Sequence, residues 1–302
     1  MFQSFAEIIA AATLNERVKI AVAAAADADV LEAVAAAKQA GIADAVLVGD
    51  TVAIKELCRQ ENIDFNLFEL EQAPDVRVAA KRAAELVRNG SAQVLMKGLV
   101  GTADFMRAVL NKTEGLGTGG LLSHVVVFEA ADYNRLMLLT DAAINIAPDL
   151  PQKVQIIGNA LRVTSALGNR NPRVAMLAAV ETVTASMKAT EDAALIAKMA
   201  ERGQIKGCCI DGPLALDNAV SPTAAKHKGI GGEVAGNADL LVVPNIEAGN
   251  VLYKALVYFA KAPLAGIVIG AAAPVVLTSR ADSPQTKVNS IALAVVASMV
   301  ER

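Results

Sequence analysis

VKIAVAAAADADVLEAVAAAKQAGIADAVLVGD, residues 18–50, decides the class of fold. VKIAV (18–22) and AVLVGD (45–50) are short runs rich in β-branched residues, as buried strands require. Between them Val30, Leu31, Val34 and Ala37 recur at helical spacing. Strand, helix and strand in about 30 residues make a βαβ unit, in which a crossover helix joins two parallel strands.

The same grammar continues outward. QVLMKG (93–98) precedes a helix through Phe105, Met106, Val109 and Leu110, and VAMLAAV (174–180), GCCID (207–211) and LLVVP (240–244) read as further buried strands. Pro151, near a helix start, is followed by Val154, Ile157 and Leu161; Thr190 stands ahead of Ala194, Leu195 and Met199, with Gly203 as a stop. One segment departs from parallel logic: SHVVVFE (123–129) and RLMLLTD (135–141) meet across a short polar turn and predict an antiparallel pair. A mixed sheet follows. Residues 262–279 carry no charge, but Pro263, Gly266, Gly270 and Pro274 break the run, so GIVIG and PVVLT are expected as two buried strands rather than a membrane helix.

The 302 residues fit about two domains, and 54% hydrophobic residues supply a sizeable core. With 28 basic and 31 acidic residues, no Trp and 3% aromatics, neither an electrostatic footprint nor a stacking platform for nucleic acid is present. Cys58, Cys208 and Cys209 are too few and wrongly spaced for a disulfide framework or a four-ligand zinc site. MFQSFAEIIAAATLNER has no basic region ahead of its apolar stretch, so a cytoplasmic location without a membrane partner is expected.

Polar residues collect where strands end. In PVVLTSRADSPQTKV (274–288), Ser283 suits a helix N-cap and Pro284 the first helical position, ahead of the stripe Val288, Ile291, Val295 and Met299. Ser279, Arg280 and Asp282 then lie at the positive end of that helix, where an Arg fork and a Ser hydroxyl suit an oxyanion. The same residues equally suit an ordinary capped helix beside a solvated Arg. In PNIEAGNVLYK (244–254), Asn245, Glu247 and Asn250 follow a strand, as Asp141 and Asn145 do in LTDAAINIAPD, and the carboxyl edge of an open α/β sheet is where ligands bind. Asp211 and Asp217 share this logic, although a lone carboxylate in such a place is more often a cap or an anchor. GLGTGG (115–120) matches G-x-G-x-x-G formally, but it follows a helix and opens onto a strand, the reverse of a dinucleotide fingerprint. Its amides, with Thr118 and Gly119, can instead wrap a phosphate or a pantetheine arm, or form a plain turn. His124 and His227 belong to no triad pattern, and Cys208 and Cys209 are expected as core residues on opposite faces of a buried strand.

MKGLVGTADFMRAVL (96–110), SHVVVFE, LTDAAINIAPDL (139–150), DGPLALDNAVS (211–221), VPNIEAGNVLYK (243–254) and TSRADS, in this order, resemble the phosphate acetyltransferase and phosphate butyryltransferase family nearly end to end. DGPLALDNAVS and TSRADS look closer to the butyryl branch. The resemblance implies two α/β domains sharing a mixed sheet, as in isocitrate and isopropylmalate dehydrogenases, with the active cleft between them and a homodimer as the assembly. One domain would comprise residues 1–121 and 270–302, the other residues 122–269. The implied reaction is acyl-CoA plus phosphate giving acyl phosphate plus CoA, with coenzyme A as substrate, no tightly bound cofactor and no metal.

By resemblance, Arg280 holds the phosphoryl group and Ser279 bonds the reacting centre. The acetyl branch carries its base carboxylate where this chain has Thr286, which leaves Asp282 as the nearest substitute and Asp141 as the alternative. Lys97, Thr102 and Arg107 match a stretch flanking the cleft and fall to the CoA phosphates or the acyl phosphate, while Asp141, Asn145, Asn245, Glu247 and Asn250 line the far wall. Phosphate acetyltransferase activity is the near alternative. A metal- and NAD-dependent decarboxylating dehydrogenase is a remote one, since no D-x-x-x-D cluster is present, and a non-enzymatic binding protein would normally carry a secretion signal.

Overall fold

A computed structural model describes residues 1–14, 18–130, 133–278 and 282–300. The chain opens with α1 (Phe5–Thr13), β1 (Val18–Ala23), α2 (Ala28–Gln39), β2 (Ala43–Gly49), α3 (Thr51–Gln60), β3 (Glu69–Gln72), α4 (Val76–Arg88), β4 (Val94–Lys97) and α5 (Thr102–Val109). A central stretch follows: β5 (Ser123–Glu129), β6 (Leu136–Thr140), α6 (Leu150–Ala166), β7 (Arg173–Leu177), α7 (Lys188–Glu201), β8 (Cys209–Leu214), the short helices α8 (Leu216–Val220) and α9 (Pro222–His227), β9 (Leu240–Val242) and α10 (Ile246–Tyr258). The last elements are β10 (Leu264–Ile269), β11 (Val275–Val276) and α11 (Pro284–Val300). They form two compact units: a terminal unit of residues 4–120 and 264–302, and a central unit of residues 1–3 and 121–263.

In the terminal unit the strands run β3-β2-β1-β4-β11-β10. β1 pairs in parallel with β2 and β4, and β4 with β11, so their carboxyl ends share one edge. The uncharged run forms two buried strands, β10 and β11, which turn back on each other in antiparallel register with Ile267 opposite Val276. That is a second antiparallel pair, which contiguous apolar runs do not announce, because burial on both faces leaves strand direction unspecified. The last helix is buried nearly all round rather than along one stripe: Ile291 through Val295 are essentially inaccessible, and α11 packs against α1, α2 and β10. Among the described residues no helix is long and apolar enough to cross a membrane.

The central unit orders its strands β5-β6-β9-β7-β8. β5 and β6 are antiparallel, with Val126 opposite Leu139, and the other pairs are parallel. Two helix faces differ from the sequence pattern. α6 buries Lys153, Ile156, Ile157, Ala160 and Val163, while α7 buries Thr190, Asp192, Ala193 and Ile196 and leaves Leu195 half exposed. The reason is electrostatic: Lys153 and Asp192 meet at 2.8 Å, so each charge enters the interior already paired. Burial works against ionisation of Asp192, but the Lys153 and Lys188 ammonium groups outweigh it and hold the carboxyl below its ordinary range. Cys208 and Cys209 are half-buried rather than core residues, because β8 is an edge strand of this unit.

Asp239 fastens the amino ends of β7 and β9. Its carboxylate accepts from the Arg173 backbone amide at 2.9 Å and from Arg173 Nε and Nη2 at 3.0 and 2.8 Å. Burial again opposes the charge, and the Arg173 hydrogen bonds prevail, so the carboxyl titrates below its usual range. A lowered folded-state value gives stability that is present above the ordinary aspartate pKa of about 3.9 and is lost as pH falls through the folded value. Asp239→Asn should therefore cost about 2 to 4 kcal/mol in urea unfolding at pH 7, with the gap to wild type narrowing in acid.

Candidate active site

In the central unit, β6 and β9 lie side by side in parallel with Thr140 opposite Val242, so the loops that leave them emerge together. Asp141, next after β6, is buried, and its carboxylate collects four donors. Oδ1 accepts from the amides of Ala143 and Ile144 at 2.9 and 3.0 Å, and Oδ2 from the Asn145 amide and side chain at 3.3 and 2.6 Å. Asn145 Nδ2 also donates to the Leu122 carbonyl at 2.8 Å. Opposite, Asn245 caps α10 by accepting from the Ala248 amide, and Asn250 Nδ2 reaches the Ala142 carbonyl at 3.2 Å. Asp141, Asn145, Asn245 and Asn250 therefore belong to one cluster, with Glu247 exposed on the first turn of α10.

Close approach of backbones makes this cluster possible. A Cβ on Gly249 would fall 2.5 Å from the Asp141 carbonyl and 3.0 Å from Ala142 Cα, so only glycine lets α10 lie against the 141–145 loop.

In the terminal unit the corresponding edge carries Lys97, the last residue of β4, buried, with Nζ 3.3 Å from the Gly98 carbonyl. The chain then crosses over β1: Gly98 and Leu99 donate to Ala23 and Ala24, and a Cβ on Gly98 would meet the Ala24 carbonyl at 2.4 Å. Thr102 opens α5, whose N-cap, Gly101, provides no side-chain hydrogen bond. Arg107 sits in the last turn of that helix and pairs with Asp104, which also receives Arg77 Nε at 3.2 Å. Both guanidinium groups hold the Asp104 carboxyl below its usual range, Arg107 the more strongly.

The glycine loop is pinned rather than open. Leu116 O accepts from the Ala272 amide at 2.8 Å, Gly117 bridges Ala271, and the Thr118 hydroxyl donates to the Gly270 carbonyl at 2.8 Å, which leaves Gly119 and Gly120 exposed. Ser279 and Arg280 lie outside the described residues. The described chain resumes at Asp282, and Ser283 caps α11 by accepting from the Thr286 amide at 3.2 Å. Asp282 is buried, and its carbonyl accepts from Lys287 Nζ at 2.7 Å. Lys287 is itself buried and also reaches Asp29 at 3.3 Å. Sequence reasoning missed Lys287 and Arg77, because a lone cation in a helix reads as solvated. Lys287 had one signal, that it carries the charge in the otherwise uncharged helix 284–300; Arg77 had none, because the strand before it does not show in the sequence.

The remaining polar candidates lie apart from these clusters or are engaged by neighbours. Lys228 pairs with Asp217 at 3.0 Å and pulls its carboxyl down, and Asp211 accepts from the Gly212 amide. His124 is buried edge-on to Tyr253, ring centroids 6.4 Å apart, and His227 is exposed. Burial, with Cys209 alongside, pushes the Cys208 thiol up to about 11, away from a neutral-pH nucleophile. Among the described residues no three His, Cys, Asp or Glu side chains converge as metal ligands would.

Each of the two α/β units thus gathers polar groups at the carboxyl edge of its own strands, the edge at which open α/β sheets take ligands. The model of the family described as phosphate acetyl/butaryl transferase matches residues 4–79 and 73–295, and the chain belongs to that family. It is 53% identical over 294 residues to the phosphate butyryltransferase of Clostridium acetobutylicum, covering 97% of this chain and 98% of that one. To the phosphate acetyltransferase of Rhizobium meliloti it is 45% identical, over 82% of this chain and 78% of the relative. The crystal structure of a branched-chain phosphotransacylase from Enterococcus faecalis V583 superimposes with a TM-score of 0.83 at 31% identity, over 93% of this chain and 99% of that one.

Gly249→Ala should displace the 141–145 loop or α10 and lose about 1 to 3 kcal/mol in chemical denaturation. Gly158→Ala, in a helix with open space around the added Cβ, serves as the control and should be neutral or slightly stabilising.

Proposed function

We propose that this chain exchanges a short acyl group, butyryl favoured, between coenzyme A and inorganic phosphate: acyl-CoA plus phosphate gives acyl phosphate plus CoA. The match to a phosphate butyryltransferase over nearly the full length of both chains carries this reading. To this reading belong, as further parts of the proposal, an isocitrate/isopropylmalate dehydrogenase-like arrangement of the domains 1–121 with 270–302 and 122–269, the reaction in a cleft between them, and a cytoplasmic location. No cofactor beyond the CoA substrate is required.

In this reading phosphate oxygen attacks the thioester carbon directly, and thiolate leaves from a tetrahedral oxyanion. Preorganised donors supply the largest share of the rate. Arg280 neutralises the phosphate and Ser279 bonds the reacting centre; beyond them in sequence, the Asp282 carbonyl accepts from Lys287 Nζ. Lys97, Thr102 and Arg107 serve the CoA phosphates, the exposed amides around Gly119 support the pantetheine arm beside Thr118, and Asn145, Asn245, Glu247 and Asn250 line the opposite wall. Acylation of CoA needs a base for its thiol, whose pKa is about 8.5. Asp141 has its lone pairs engaged by four N–H donors, which favours Asp282 for that task.

A homodimer fits the surface of α10. Within it only Gly249 is buried, while Val251 and Tyr258 are 69% and 51% exposed, and Phe259 just beyond is 88% exposed. An apolar cavity of about 640 Å³ between Leu177, Leu216, Pro244 and Leu252 adjoins them, a surface suited to a second copy of the chain.

Purified protein should release thiol from butyryl-CoA only when phosphate is added; thiol release without phosphate, or none with it, would overturn the assignment. Rates with acetyl-, butyryl- and branched acyl-CoA then rank the acyl preference, butyryl first. Arg280→Ala should lose about 2 to 4 kcal/mol in kcat/KM. In the CoA-acylating direction Asp282→Asn should slow turnover steeply at neutral pH with partial recovery at higher pH, whereas Asp141→Asn should mainly lower Tm.

A further inference from the structure

The terminal unit carries a charged group that the reaction scheme above leaves unused. Arg77 lies in the first turn of α4, after β3, and Arg107 in the last turn of α5, after β4. β3 and β4 lie in parallel order in the same sheet, so both helices begin at the carboxyl edge that also carries Lys97. The two guanidinium groups converge on one carboxylate: Arg77 Nε reaches Asp104 Oδ2 at 3.2 Å, and Arg107 Nη1 bonds Asp104 Oδ1.

Asp104 takes one N–H from each fork. Every guanidinium has five, so each fork keeps four donors with no protein acceptor among the described residues, and both side chains are more than 70% exposed. Two like charges of this kind repel unless something holds them, and Asp104, three-quarters buried beneath them, does so. The other carboxylate nearby, Asp75, is engaged as the cap of α4, accepting from the amides of Arg77 and Val78. The Lys81–Glu114 pair next along the face is neutral in sum. An incoming anion therefore meets two guanidinium groups held on one carboxylate. A phosphate group has the charge and the oxygen geometry to accept from both forks at once.

We propose that Arg77, held by Asp104, is the second arm of a phosphate clamp completed by Arg107, and that it binds the phosphates at the nucleotide end of coenzyme A. The inference rests on the acyltransferase reading above and extends it to a residue outside the reacting centre. Its role is in binding, since it tethers a remote part of the substrate, so loss of the arm weakens capture without slowing the bound complex.

Steady-state kinetics of Arg77→Ala with butyryl-CoA, with butyryl-pantetheine, which lacks those phosphates, and with varied inorganic phosphate tests the clamp. The expected result is a roughly tenfold rise in KM for butyryl-CoA, with kcat, the KM for butyryl-pantetheine and the KM for inorganic phosphate unchanged, and partial recovery in Arg77→Lys. Unchanged KM for butyryl-CoA, an equal rise with butyryl-pantetheine, or a rise confined to inorganic phosphate would each overturn it. Calorimetric titration with adenosine 3′,5′-bisphosphate separates the two levels of inference. A protein without phosphate-dependent thiol release that still binds the bisphosphate more tightly than Arg77→Ala does would sink the acyltransferase reading and keep the clamp. Equal binding by both proteins would sink the clamp alone.

Discussion

The central unit depends on one carboxylate. Between β6 and α6 the chain turns through residues 141–149 in a half-buried setting, where each amide left without an acceptor costs about 1 to 3 kcal/mol. Asp141 takes the amides of Ala143, Ile144 and Asn145 together with the Asn145 side chain, and so folds the turn tightly onto itself. Only a turn this compact leaves room for α10 to approach until Gly249 faces the Asp141 carbonyl. Asn145, Asn245 and Asn250 are consequences of that approach. Each binds backbone, and together they present a rigid polar wall at the sheet edge.

The terminal unit reaches a similar end by different means. There the strand-end loops are held by direct backbone contact, Gly98 over Ala24, and by a buried ammonium, Lys287, that reaches the Asp282 carbonyl from within the last helix. A lysine in that position costs desolvation, which its bonds to a carbonyl and to Asp29 offset. In the proposed reading, anion binding at this edge falls to guanidinium groups rather than to the glycine loop. The loop's threonine is committed to Gly270.

The parallel strands were legible because buried strands demand unbroken β-branched runs. β3, with Glu69 and Glu71 alternating with Leu70 and Gln72, was not, since an edge strand hydrogen-bonded on one side needs no apolar run. Strand direction between β10 and β11 was equally hidden. At the site, single residues at strand ends could be named, but their grouping depends on β6 lying beside β9, strands about a hundred residues apart. Paired charges were the least legible of all. Lys153 and Asp192 lie on different helices, and only the packed structure makes each the reason the other is buried. The Asp104 link between Arg77 and Arg107 was hidden for the same reason.

The helix α11 has a consequence for how the protein comes into being. It is packed against α1 and α2 and against β10, so residues 4–120 cannot finish their core until a segment beginning at residue 264 has been made. The central unit is nearly contiguous in the chain and has no such wait. During synthesis, which proceeds at about 5 to 20 residues per second, the first half of the terminal unit spends several seconds with the apolar faces of α1 and α2 uncovered while the middle of the protein folds. Chaperone demand should therefore fall on the segment that leaves the ribosome first.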